Sequence, residues 1–122
     1  MIAKVTKQTK LDVWLGLVFD GTHYIYFECE NDVGVGTWHC KMNDGSAASD
    51  YDTTIDCDAD PHDFLIVCSS GSVKWYIDGT LVHEDTTDIP DEIMEPIVRY
   101  ESTEVTSGAL GYIDLVDIYQ DR

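Results

Sequence analysis

The chain reads as an all-β domain. Apolar residues alternate along most of its length, which places every second side chain on one face, as a strand requires. No stretch sustains a helical period. Asp78-Gly79 lies between two apolar runs and supplies the two positive φ angles of the tight turn that closes a hairpin.

Taken in order, Val13, Leu15, Leu17 and Phe19 share one face of the first clear strand, which Asp20-Gly21 ends. In the second, Ile25, Phe27 and Cys29 share a face, and Tyr24, Tyr26, Glu28 and Glu30 share the opposite one. Gly34-Val35-Gly36 turns the chain into Trp38, Cys40 and Met42, and that strand stops at Asn43-Asp44-Gly45. Residues 45–63 are polar and rich in Asp, with one short strand expected at 53–57. Phe64-Leu65-Ile66-Val67-Cys68 forms the next strand. The hairpin follows at 73–84, with Trp75 facing Val82 and Tyr76 facing Leu81 across it. Pro90 and Pro96 bracket residues 91–95, where the one helical turn is expected, and a strand at 97–101 comes after it. The last strand runs from Tyr112 to Tyr119 and breaks the alternation: Ile113, Leu115 and Tyr119 point one way, Val116 and Ile118 the other. A bulge or a covered outer face accounts for such a break.

At 122 residues the chain is one domain, 1–122, with residues 1–10 either an N-terminal arm or an edge strand. Its formal net charge is −17, and 17 of its 24 acids are Asp, a residue of turns, outer faces and cation sites. Seven Lys and Arg are too few for a phosphate footprint, so no nucleic acid is expected as a partner. No apolar run approaches the ~20 residues that cross a bilayer, so no membrane insertion is expected. Met1-Ile2-Ala3-Lys4 leads into polar residues without a leader-like apolar run. Lys4, Lys7 and Lys10 recur at a spacing of three, as a basic arm toward an acidic neighbour or as an ordinary polar strand.

Three side-chain groups invite a functional reading. Cys29 and Cys40 are eleven residues apart, as are Cys57 and Cys68, so simple hairpins put each pair opposite on the inward face. Either these pairs are disulfides or all four are thiols packed in the core, and the lack of a leader favours thiols. Asp50, Asp52, Asp56, Asp58 and Asp60, with Asp63, supply enough carboxylates for Ca²⁺, although a solvated acidic loop explains the same run. Tyr24, Tyr26 and Tyr76, with Tyr100 beside them, form an outward aromatic set on which sugar rings could stack, with Arg99 bonding hydroxyls. Tyr is equally a favoured strand and interface residue. Trp14, Trp38 and Trp75 are assigned to the core.

The order of Phe64–Cys68, the Asp78-Gly79 hairpin and the strand from Tyr112 resembles the C-terminal half of the concanavalin A-like lectin/glucanase superfamily, the laminin-G-like and family-16 glycosidase-like modules. Gly16-Leu17-Val18-Phe19, Tyr24-Ile25-Tyr26-Phe27, Pro61-His62-Asp63-Phe64 and the run from Met94 to Tyr100 extend the resemblance across residues 11–119. It implies a two-sheet antiparallel β-sandwich of jelly-roll form and reduced size. Calcium in edge loops is a habit of such relatives. Their glycosidases carry Glu-x-Asp-x-x-Glu on one strand, and the nearest text here, Glu28-Cys29-Glu30-Asn31-Asp32, lacks the central Asp and the second Glu. The expectation is therefore a module that is not an enzyme.

Small domains of that fold also decorate virus particles, so the first functional expectation is a structural protein of a virion or cell surface, a homo-oligomer or part of a larger assembly. Its contacts are expected at Lys4, Lys7, Lys10, Ile113, Leu115 and Tyr119. A carbohydrate-binding module is the second expectation, with a glycan as partner, and a glycanase-type hydrolase the third.

Overall fold

The computed structural model describes residues 2–5, 11–29, 36–58, 60–102 and 111–115, with side chains left undescribed at 2–5, 11, 102 and 111–115. Among the described residues there are ten strands: β1 (Ile2–Val5), β2 (Leu11–Val18), β3 (His23–Cys29), β4 (Thr37–Asp44), β5 (Ala48–Asp56), β6 (His62–Cys68), β7 (Val73–Ile77), β8 (Thr80–Asp85), β9 (Glu95–Ser102) and β10 (Gly111–Leu115). Two five-stranded antiparallel sheets result, the first in the order β5-β4-β3-β2-β9 and the second in the order β10-β1-β6-β7-β8. No helix occurs among the described residues, so none is long and apolar enough to cross a membrane.

The inward faces meet in one core. Val13, Leu15, Ile25, Phe27, Trp38 and Met42 from the first sheet pack with Phe64, Val73, Trp75 and Ile77 from the second. Phe64 is the bridge, its ring 5.1 Å from that of Phe27 and 4.5 Å from that of Trp38. Each such side chain contributes ~1.5–3 kcal/mol when fully withdrawn from water. The Asp78-Gly79 turn has the expected positive φ angles, 52° and 75°, and Tyr76 stands opposite Leu81. Trp75, however, faces His83 rather than Val82, because β8 carries one extra residue in a bulge at that point.

Several further expectations need correction. Phe19 is 56% exposed, since Asp20 accepts hydrogen bonds from the Thr22 and His23 amides and bends the chain out of β2 before Phe19 can turn inward. The Asp-rich stretch forms the nine-residue edge strand β5 rather than a short strand at 53–57. Its backbone pairs with β4, and its acids face partners there: Asp50 lies opposite Lys41 and Asp52 opposite His39. A bulge at Thr54, which takes φ 62°, shifts that register and is held by Thr54 N donating to Asp52 Oδ1 and Thr53 Oγ1 donating to the Trp38 carbonyl. Residues 91–94 form no helical turn, being too few to nucleate one, and β9 begins at Glu95 with Pro96 tolerated on an edge strand.

The cysteines form neither expected bridge, nor are all four the thiols that were favoured. Cys29 bonds to Cys57, at a Cα separation of 6.2 Å, while Cys40 and Cys68 remain thiols. Cys29 stands opposite Trp38 and not Cys40, so the β3–β4 register rules out the expected pairing. With a sequence separation of 28, the bridge restricts the unfolded chain by roughly 3–4 kcal/mol on a loop-entropy basis. Cys40 is buried, and burial with nearby Asp50 pushes its thiol up to about 12, so it packs as an apolar group. Cys68, expected inward, is exposed at the end of β6. Residues 2–5 are neither an arm nor an edge, for β1 lies between β10 and β6. The expected break in the last strand concerns Val116, Ile118 and Tyr119, which lie outside the described residues.

Candidate functional site

Along β2 the side chains alternate, so Val13, Leu15 and Leu17 turn inward while Trp14, Gly16 and Val18 turn outward. Register sets their neighbours. On β3, Tyr24 lies beside Val18, Tyr26 beside Gly16 and Glu28 beside Trp14. On β9, Ile97 lies beside Gly16 and Arg99 beside Trp14. Gly16 has no room for a side chain, because a Cβ there would come within 2.3 Å of the Ile25 carbonyl and 2.5 Å of the Tyr26 Cα. On the same face a recess of about 150 Å³ is walled by Trp14, Val18, Tyr24, Tyr26, Ile97 and Arg99.

The walls are fixed from outside. Tyr24 and Tyr26 stack at 4.6 Å between centroids, and the Arg99 guanidinium sits 4.8 Å over the Trp14 ring. Arg99 Nη2 donates to Glu101 Oε2 at 2.6 Å, and Trp14 Nε1 donates to the buried Glu28 Oε1 at 2.6 Å. Glu28 Oε2 in turn pairs with Lys41, which reaches Asp50 at 3.5 Å, and Asp50 holds His39 Nδ1 at 2.7 Å. One chain of contacts therefore crosses all five strands of the first sheet and locks the indole in place.

Asp20 and Gly21 close one end of the recess. Bonds from His23 and Thr22 hold the Asp20 carboxyl well below the usual range. The His23 ring lies between Asp20 at 2.9 Å and Glu92 at 3.4 Å, and its pKa is raised chiefly by its bond to Asp20. Gly45 leaves room for that ring, since a Cβ there would sit 2.4 Å from His23 Nε2.

Of the five residues expected to bind a sugar, Tyr24, Tyr26 and Arg99 come together. Tyr100 does not join them. Adjacent residues on a strand face opposite ways, so with Arg99 outward Tyr100 packs on the core, where burial raises its hydroxyl pKa. Tyr76 projects from the second sheet, on the far side of the sandwich. Trp14, Val18 and Ile97 complete the walls and lie outside the expected set. Trp14 was assigned to the core, yet its place between inward Val13 and Leu15 already set it outward.

The acidic residues considered for calcium are spread along an edge and a loop. Asp50 and Asp52 lie on β5 beside Lys41 and His39, and Asp56 lies opposite Thr37. Asp58 accepts from the Asp60 amide and, at 3.1 Å, faces His62 Nε2, while Asp78 faces His62 Nδ1 at 2.7 Å. With a carboxylate at each ring nitrogen His62 favours its imidazolium form: burial opposes the charge, but the bonds to Asp78 and Asp58 outweigh it and raise the pKa. Among the described residues, no three acidic, His or Cys side chains gather where they could hold a metal ion. Of the residues expected to mediate assembly, Lys4, Ile113 and Leu115 lie on the mutually paired strands β1 and β10, and Lys7, Lys10 and Tyr119 lie outside the described residues.

No protein-family model matches the chain, and no curated protein matches it at a significant level.

Proposed function

We propose that this chain is a non-catalytic β-sandwich module of the concanavalin A-like, jelly-roll kind that holds a single sugar ring of a glycan on the outward face of its first sheet. The observation that carries the reading is the recess on the outward face of the first sheet, with Trp14, Tyr24 and Tyr26 presenting aromatic surface and Arg99 presenting N–H donors at its rim. A pyranose ring offers an apolar C–H face to such surface and hydroxyls to such a rim, and the electron-rich aromatic face attracts polarised C–H groups. At about 150 Å³ the recess is well below the roughly 300 Å³ at which enclosing ligand sites begin, so it suits one ring laid on the surface. Fixed walls also reduce the ordering cost of binding.

Binding fits Glu28 better than hydrolysis does. Trp14 and Lys41 engage its two oxygens, whereas a retaining hydrolase needs a carboxyl facing substrate and a second one ~5 Å away. A second reading, a building block of a virion or cell-surface assembly, is supported by the apolar outward face of the second sheet, where Leu65, Val67 and Leu81 are 50%, 43% and 47% exposed.

Titration with a panel of soluble oligosaccharides tests the sugar site. One glycan class should bind, and Trp14→Ala and Tyr24→Ala should each weaken that binding about tenfold or more, the scale of one lost stacking contact. No binding across the panel, or binding that both variants leave unaltered, sinks the reading.

A further inference from the structure

The outward face of β6, β7 and β8 is a separate surface from the recess. Leu65 stands opposite Tyr76 and Tyr76 opposite Leu81, which makes an apolar row across three strands. Val67, Lys74 and Glu84 form the next row, with Lys74 Nζ 3.5 Å from Glu84 Oε1. Single exposed leucines are ordinary on a protein surface, but an aligned row of them with a valine and a tyrosine marks a contact surface.

Charge selects the occupant. At a net charge of −17, two copies repel over most of their surface. This face is different, because it sets Lys74 against Asp63 and Glu84 around an apolar centre. Asp63 precedes Leu65 by two residues, and Lys74 precedes Tyr76 by two on the antiparallel neighbour, so the two charges flank the row on opposite sides. A two-fold axis lying along the row in the plane of the contact exchanges those sides and brings each Lys74 to the end of the partner's face that carries Asp78 at the end of β7 and Asp63 beside it on β6. Self-complementarity of this kind is what an isologous interface requires.

We propose that a second copy of this chain docks on the Leu65–Tyr76–Leu81 row, forming a two-fold dimer through the outward faces of the second sheets. The dimer does not depend on the recess being a sugar site. It leaves both first sheets facing away from the contact, so any ligand they hold is displayed twice and multivalent ligands gain avidity.

Sedimentation equilibrium from micromolar to near-millimolar protein tests the interface. The wild-type chain should move from 13.7 kDa toward twice that mass as concentration rises. Added salt should strengthen the dimer by screening the overall repulsion. Leu65→Glu and Leu81→Glu should each weaken it about tenfold or more, as removal of a central contact does, with near-ultraviolet dichroism showing that the fold persists. Ile93→Glu should leave it intact, because Ile93 is 91% exposed on the loop before β9, next to Glu92, which reaches His23 of the first sheet. Lys74→Asp should weaken the dimer, and adding Asp63→Lys in the same chain should restore it. A wild-type monomer at every concentration and salt overturns the proposal. So does a dimer that salt dissolves, or one that Ile93→Glu disrupts as much as Leu81→Glu.

Discussion

On the outward face of the first sheet, side chains are tied to one another from Glu101 through Arg99, Trp14, Glu28 and Lys41 to Asp50. On the outward face of the second, Leu65, Val67 and Leu81 stand exposed, and the Lys74–Glu84 pair lies open to solvent. Both sheets close the same core, so the contrast is not about folding. The tied face spends conformational freedom in advance to hold rings in fixed positions, which suits a small rigid ligand. The untied face keeps apolar area that gains only when something covers it, which suits a broad partner surface. A chain this small has two broad outward faces to work with, and these two are chemically distinct.

The largest test asks whether the second sheet leans on its inward side. Trp75 is fully buried there, with its ring 5.4 Å from that of His83. Trp75→Ala should cost about 3–5 kcal/mol in chemical denaturation, the range for truncating a buried large aromatic. A cost near that of a surface change would mean the register across the hairpin is wrong.

Next comes a direct comparison of the outward faces. Glu28→Ala removes one partner of Lys41, whose side chain is 19% exposed, and frees the Trp14 indole N–H, which should cost about 1–3 kcal/mol. Leu81→Ala on the other face should fall within about 0.5 kcal/mol for the monomer. Equal costs in dilute denaturant titrations would erase the distinction between a tied and an untied face.

The smallest effect is the pH dependence at His62, a tie of the first sheet's kind that joins the β5–β6 loop to the β7–β8 turn. Its pKa is raised on folding, so the folded state holds the proton more tightly. That contribution is full below the unfolded value of ~6.5 and is lost as pH rises through the raised one. The stability difference between wild type and His62→Gln should therefore shrink with rising pH above neutrality. It should be small, because Asp58 and Asp78 are 43% and 53% exposed and water screens them. A difference that grows with pH would mean that His62 is held neutral in the fold.

Alternation made the inward residues of β2, β3 and β4 legible before any coordinates, Phe19 and Trp14 excepted, and the Asp78-Gly79 pair announced its turn through local φ preference. The β5 strand was not legible, because an edge strand with acids on its solvent side has little apolar alternation to display. The Cys29–Cys57 bridge was hidden for a different reason. A hairpin loop of unknown geometry leaves the β3–β4 register open by a residue or two, and two residues separate Cys40 from Trp38, the residue that Cys29 actually faces. Tyr24 and Tyr26 were legible as outward residues, while the recess they line with Arg99 was not, since it depends on which strands flank β2.

By itself, the order of residues along the chain determined the all-β class, the faces of the regular strands and the tightest turn. Each of these depends on side-chain period or on backbone preference within a few neighbouring residues. Only the tertiary structure decided which strands lie side by side, and with that the disulfide, the Glu28 relay, the recess beside Trp14 and the apolar row at Leu65. Those features join residues far apart in sequence, and their register is set by how two sheets bury one shared core.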